Sequence, residues 1–346
     1  MLRLYYMQTY KVKTKDLSIE TLRGIAVIMM VAGHVVGASK GTGLHVEDDS
    51  GWRYFYDSFE YLRMPLFTVV SGFVYSLRPV EPGRLLEFLK GKGRRILFPL
   101  ISVGTLHFLV QHIIPGTNAN YEITDIWKIY LFKYEHFWFL QSIFLIFVII
   151  SVIDNYQLIS TEKKWLVVFF ICVLLRLTMP FLQGNFFSFK GCLNLLPFFV
   201  LGCGIERYKD LFNNKLVVRG LLVVFILAVS IHQLYLLNGK SFDRLDYAIM
   251  SFLVACPGII LLFHIRKNVP VLSKLGYFAY GIYLFHVFGT AGSRIILMHL
   301  NITNITFLFF VGLLTGLGLP IVFEYFIEKS PLLRTVFLGL RKKSNW

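Results

Sequence analysis

Apolar residues run along this chain in stretches of about 20, separated by short polar connections, and that pattern predicts helices that cross a bilayer. Ten stretches occur, near residues 18–38, 57–78, 96–115, 136–154, 164–181, 191–205, 216–237, 245–265, 272–296 and 305–327. No long polar interval, internal repeat or low-complexity linker divides them. The pattern therefore predicts one all-α domain over 1–346, a polytopic integral membrane bundle of about ten transmembrane helices. The limits of the sixth and ninth runs are the loosest, because glycine and proline interrupt them.

Basic residues orient this bundle. Of the 35 Lys and Arg, 24 fall in one alternating set of connections, against seven in the other: Lys40, Arg53, Lys128, Lys133, Lys190, Lys240 and Arg244. Basic loops resist translocation. Both termini are thus predicted to be cytoplasmic, with a basic N-terminal segment, 1–17, carrying Arg3, Lys11, Lys13 and Lys15, and a basic tail, 328–346, that includes Lys342 and Lys343.

Composition narrows the class. With 346 residues, 56% hydrophobic and 34 of them phenylalanine, the chain has more apolar surface than one soluble core hides. The net charge of +15 is explained by topology, and no basic stretch carries the interleaved aromatics and glycines of a nucleic-acid reader. The expected partner is the lipid bilayer, not nucleic acid. Four cysteines, Cys172, Cys192, Cys203 and Cys256, lie in or beside apolar runs with no CxxC pair and no histidine at metal spacing, so buried thiols and no metal site are expected. Val36-Gly37-Ala38 has the small-residue look of a signal-peptidase site, but the long preceding segment and Arg23 argue against a cleaved signal.

Arg23, Arg63, Arg176 and Arg294 lie inside the apolar runs, where each costs about 2.5–3.5 kcal/mol at mid-bilayer on insertion scales. For Arg176 and Arg294 the expectation is snorkelling or a structural ion pair. Arg23 belongs with His34, eleven residues on. At ~100° per residue the two side chains end ~20° apart around a helix and ~16 Å apart along it. Ala26, Met30 and Gly37 share that face, which is predicted to look into the bundle, while Ile25, Ile28, Met29, Val35 and Val36 face lipid. Arg23 then sits near the cytoplasmic side and His34 in the outer half. Arg63 on the second span reaches the depth of His34, and Ser71 that of Arg23. On the ninth span Tyr283 and His286 also reach the outer half. Polar groups from three spans at one depth make a candidate site.

These fragments resemble the membrane acyltransferase-3 family, whose members transfer acyl groups, commonly acetyl, to carbohydrates at bacterial surfaces. The likeness rests on "LRGIAVIMMVAGH" with Arg23 and His34, "RMPLFTVVSGF" from Arg63, and the basic "KGKGRRILFP" from Lys90. "HFWFLQ" at 136–141, "LPFFVLGC" at 196–203 and "YGIYLFH" at 280–286 follow in the expected order. "FEYFIEKSPLLR" is similar to the family's closing pattern but has Ser330 before Pro331, so no role is carried to Glu328. Some members carry an added soluble esterase-like domain; this chain is expected to act without one, alone or with separate partners.

Acyl transfer to a sugar hydroxyl needs a base effective near neutrality, and histidine is the usual choice. The resemblance implies an O-acyltransferase in a bacterial inner membrane, with acetyl-CoA or another acyl-CoA as donor substrate, a carbohydrate acceptor, and no permanently bound cofactor. His34 is the expected base, by direct transfer or through an acyl-histidine. Arg63, or His286 as imidazolium, is expected to stabilise the oxyanion, and Arg23, paired with His34 in the signature, completes the expected catalytic set. Arg23, Ser71, Lys90, Lys92, Arg94 and Arg95 are candidates for the donor, and His136, Trp138 and Tyr283 for the sugar. The rival class is a multi-pass transporter or flippase whose intramembrane Arg and His line a substrate path.

Overall fold

The computed structural model describes residues 16–119 and 121–341. Arg3, Lys11, Lys13, Lys15, Lys342 and Lys343, which helped set the expected orientation, lie outside them. Among the described residues there is no strand beyond one isolated bridge, Phe132 to Phe186. The helices of eight residues or more are α1 (Leu17–Val36), α2 (Gly51–Leu77), α3 (Leu85–Ile113), α4 (Trp138–Asn155), α5 (Glu162–Thr178), α6 (Phe189–Arg207), α7 (Lys215–Leu237), α8 (Arg244–Ile265), α9 (Pro270–Tyr277), α10 (Ala279–His299), α11 (Ile305–Glu328) and α12 (Pro331–Leu338). Side-chain caps fix several starts: Asp16 Oδ1 accepts from the Ser18 amide at 2.9 Å before α1, and Asn304 Oδ1 from the Phe307 amide at 2.9 Å before α11.

Nine of these helices are long and apolar enough to cross a membrane: α1, α3 to α8, α10 and α11. The second predicted run forms α2, which is ~40 Å long at 1.5 Å per residue and packs on α1, α6 and α8. Arg53, Asp57, Glu60 and Arg63 make its N-terminal half too polar to meet the same criterion. Small residues let α2 and α6 touch backbone to backbone. A Cβ on Gly72 would meet the Phe199 carbonyl, and one on Gly202 the Val69 carbonyl. At one end of this pair, Arg207 grips Asp154 with two bonds of 2.7 Å while Tyr75 donates to the same carboxylate at 2.9 Å.

Three sequence expectations are corrected. The ninth run, expected over 272–296, breaks at Phe278 into α9 and α10. Helix α9 crosses α1 so closely that Gly24 abuts the Leu272 carbonyl and Gly276 the Glu20 carbonyl. Helix α3 starts eleven residues before the expected 96, so Lys90, Lys92, Arg94 and Arg95 ride on its first turns rather than in a connection. Lastly, α1 has no lipid face at its C-terminal end. It lies among α2, α9, α10 and α11 with 72% of its apolar window buried, against 11% for the peripheral α7. Val35 and Val36 are buried, Val35 against Gly312 of α11, and Ile25, Ile28 and Met29 are half-buried. A central helix presents every side to protein, which an amphipathic reading does not anticipate.

The expected basic tail contains a further helix, α12, in which Ser330 caps and Pro331 takes the first position. The serine set before that proline thus has a structural use. Cys172, Cys192 and Cys203 are buried free thiols and Cys256 is half-buried.

Candidate active site

Between Ser18 and Gly37, His34 is the only residue with an exposed side chain. Because α1 is enclosed, that exposure faces a cavity within the bundle, of about 50 Å³. Gln111, Asn118, Glu135, His136, Thr290 and Arg294 supply its polar lining, and the volume suits a few waters held by such groups.

Four imidazoles converge here from α1, α3, the turn before α4 and α10. The His34 and His286 ring centroids are 4.7 Å apart, His136 and His286 4.9 Å, His34 and His136 6.0 Å, and His107 and His136 5.5 Å. The second shell of hydrogen bonds sets the tautomers. His286 Nδ1 lies 2.9 Å from the Tyr283 carbonyl and 3.1 Å from that of Ile282, so Nδ1 carries a proton to donate and Nε2 keeps its lone pair. Tyr134 donates to Gln111 Oε1 at 2.9 Å and therefore accepts from His107 Nδ1 at 2.8 Å, which leaves His107 Nε2 a lone pair too. Among the described residues the buried Nε2 atoms of His136 and His286 have no hydrogen-bond partner. Among the described residues no group of His, Cys, Asp or Glu is arranged to hold a metal. The arrangement offers unpaired basic nitrogens rather than a ligand set.

Loop anchors close one end of the cavity. Arg294 donates to the Gly43 carbonyl at 2.8 Å, the Gly116 carbonyl at 3.0 Å and His45 Nε2, while Arg53 donates to the carbonyls of Gly37 and Val46. Arg294 is therefore neither snorkelling nor in an ion pair: its guanidinium is consumed by loop carbonyls. Arg176 likewise bonds the carbonyls of Asn194 and Ala248 and the Ser251 hydroxyl. His45 lies in the loop, where burial and the Arg294 guanidinium push it below the usual imidazole value; its Nδ1 donates to the Lys40 carbonyl at 3.1 Å.

The predicted residues divide. His34, His136 and His286 come together. Arg63 approaches from α2, its guanidinium against Gly33 and 4.0 Å above the Tyr56 ring. Tyr283 donates to the His136 carbonyl at 2.6 Å, so it holds the turn that carries that ring. Trp138 packs over Gly191 of α6, outside the cavity. Arg23 pairs with Glu20 at 2.9 Å at the other end of α1, and the Ser71 hydroxyl donates to the Phe67 carbonyl within its own helix. Sequence reasoning passed over His107, Gln111 and Glu135. A histidine and a glutamine four residues apart inside the third apolar run were the available signal.

A second, larger cavity of about 590 Å³ lies at the basic end of α3. Lys92, Arg94 and Arg95 line it with Phe88, Arg84 and Arg341, whereas Lys90 is exposed outside it. Arg84 is occupied by Glu81 and Glu87 at 2.8–2.9 Å, and Lys92 leans over the Phe147 ring at 3.7 Å. Arg94 and Arg95 reach the carbonyls of Gly339 and Leu338 at 3.2 and 3.0 Å, which makes the segment after α12 one wall. This cavity and the one at His34 share no lining residue. Between them stand Tyr280, which donates to the Arg95 carbonyl, and Tyr283.

The model of the acyltransferase-3 family, described as an acyltransferase domain, matches residues 16–324, most of the chain and every histidine of the cluster. The chain belongs to this family and is a multi-pass integral membrane protein of the acyltransferase class. No curated protein and no solved structure matches it.

Proposed function

We propose that the protein moves an acyl group, acetyl in the first instance, from acyl-CoA to a hydroxyl of a carbohydrate at the outer face of a bacterial inner membrane. The observation that carries this reading is His34, the one exposed side chain of α1 beyond its first residue, set in a polar cavity beside His286. His34 takes the hydroxyl proton, the oxygen attacks the thioester carbonyl, the carbon–sulfur bond breaks, and the proton passes to the departing thiolate. An acyl-histidine route would use the same nitrogen as nucleophile. Arg63, held beside His34 by Gly33, is the better placed charge for the oxyanion. His286 spends its Nδ1 proton on backbone carbonyls and donates from Nε2 only as imidazolium.

The donor's phosphates suit the cavity of Lys92, Arg94, Arg95 and Arg341, and the bias of basic residues toward this side supports a cytoplasmic position. From Arg95 to His107 is twelve residues of α3, ~18 Å, and the thioester arm has to travel about that far. Tyr280 and Tyr283 fill the way, so donor entry requires α1, α3 and α10 to part, a closure step of the kind that excludes water from acyl transfer.

The test is transfer of label from acetyl-CoA to a surface glycan by purified protein in proteoliposomes. Transfer by the wild type supports the reading. No transfer from several acyl-CoA donors, with uptake of a solute instead, overturns it in favour of transport.

A further inference from the structure

Beside the His34 cavity, α3 and α10 separate and leave a crevice of about 160 Å³. Gln111, Asn118, Val287 and Ala291 line both spaces, so the crevice is a side branch of the candidate active site. Its inner end is polar, with His107 and Gln111. Its walls are mainly apolar, from Val110, Ile114, Phe288 and Ile295, with Thr117 and Asn118 at the loop end. Apolar surface borders it: Ile114, in its wall, is 43% exposed, and Ile113 and Ile296, next to the lining, are 69% and 62% exposed. Gly292 sits in the gap with open space where a Cβ would stand. Where Gly24, Gly72, Gly202, Gly276 and Gly289 each bring a neighbouring helix's backbone into contact, Gly292 meets none.

We infer that the gap between α3 and α10 admits the hydrocarbon tail of a lipid-linked acceptor from the bilayer, leaving its polar head at His107 and His34. The inference rests on the acyl-transfer reading for what happens to the head, and on the geometry alone for the tail. An apolar wall continuous with lipid and ending on buried polar nitrogens matches an amphiphile whose hydroxyl lies next to its chain. A free sugar would have no use for Val110, Ile114, Phe288 and Ile295. For a short-chain probe taken from water, each methylene buried against such walls is worth about fourfold in affinity.

Because nothing lies within 4 Å of where a Cβ on Gly292 would stand, Gly292→Leu has room to begin a side chain directed into the gap, and Gly292 is not one of the four histidines or of the lining of the His34 cavity. Methyl, butyl and hexyl glucosides serve as acceptors with labelled acetyl-CoA, in proteoliposomes of wild type and variant. Partition of the probes into the bilayer is common to both proteins and cancels. The wild type is expected to show KM falling with chain length more steeply than Gly292→Leu, with the two proteins within twofold on methyl glucoside. A parallel measurement needs no turnover: a hexyl glucoside ending in a diazirine is irradiated with the protein, and labelled residues are mapped. Label on Val110, Ile114, Phe288 or Ile295, lost in Gly292→Leu and displaced by hexyl glucoside but not by phosphatidylglycerol, supports the gap. Label spread over lipid-facing side chains, or displaced equally by phosphatidylglycerol, means bilayer lipid only and overturns it. Specific labelling without acetyl transfer would keep the gap and remove the acyl-transfer reading. Transfer indifferent to chain length, with unspecific labelling, would do the reverse.

Discussion

The Arg63 guanidinium occupies the space that a Cβ on Gly33 would fill, one residue before His34. Helix α1 therefore presents a bare backbone to a cation from α2 at the point where it also presents an imidazole to the cavity. The cost of an intramembrane arginine is offset by placement: Arg63 rests on Tyr56 at 4.0 Å, a contact worth more where water is scarce.

Gly33→Ala should fold, since the atom in its way is the far end of a flexible side chain, but should push Arg63 off its seat. The expected result is normal yield and monodispersity with transfer reduced about 100-fold, the scale on which small misplacements act. Full activity would show that Arg63 has no part in the reaction.

Tyr134→Phe removes the hydroxyl that orders His107 and Gln111 and leaves both buried without that partner. A loss of about 1–3 kcal/mol in stability is expected, seen as a lower melting temperature in detergent. Tyr134→Phe should cost less in a His107→Phe background than in the wild type if the two act as one chain, and a double-mutant cycle measures that coupling.

The loop that closes the cavity should be sensitive to acid. His45 is held below its ordinary value by burial and Arg294. As pH falls below the unfolded-state value of about 6.5, the unfolded chain takes up a proton that the folded loop resists. Stability is thus fully present above about pH 6.5 and is lost as pH drops toward the lowered folded value. Thermal inactivation between pH 7.5 and 5 should steepen in the wild type and less so in His45→Gln. Equal slopes would exclude His45.

Gly339 turns the chain with φ of 62° against the Arg94 carbonyl, where a Cβ would collide with backbone. Gly339→Ala should disturb the wall formed by the segment after α12 and raise KM for acetyl-CoA severalfold, with the acceptor KM unchanged. Equal changes in both would assign the effect to general loosening. This wall lies beyond residue 324, where the family match ends, so the contribution would belong to this chain's own C-terminal segment.

How much of this was legible beforehand follows from what each pattern encodes. Apolar runs and their lengths report burial in lipid or protein without telling the two apart. The helices from α4 to α8 and α11 therefore fall within a few residues of expectation, while the lipid face drawn for Val35 and Val36 does not. The shared face of Arg23 and His34 is a matter of helical angle and needs no partner, but Arg23 ends on Glu20, far along the axis from the cavity. The break at Phe278 depends on α9 meeting α1, a tertiary contact with no local sign. His107 was visible as a polar residue in an apolar run, but its place beside His136 requires α3 and the turn before α4 to meet. Trp138 shows the converse: an aromatic in a suggestive motif that packs over a glycine instead.

The most direct measurement is acetyl transfer by His34→Ala beside the wild type, both purified and reconstituted at matched amounts. If His34 is the base, the variant inserts and elutes as the wild type does but loses transfer by about 100- to 10,000-fold, the range of general-base contributions. Transfer at the wild-type rate from the alanine variant would contradict the account at its centre.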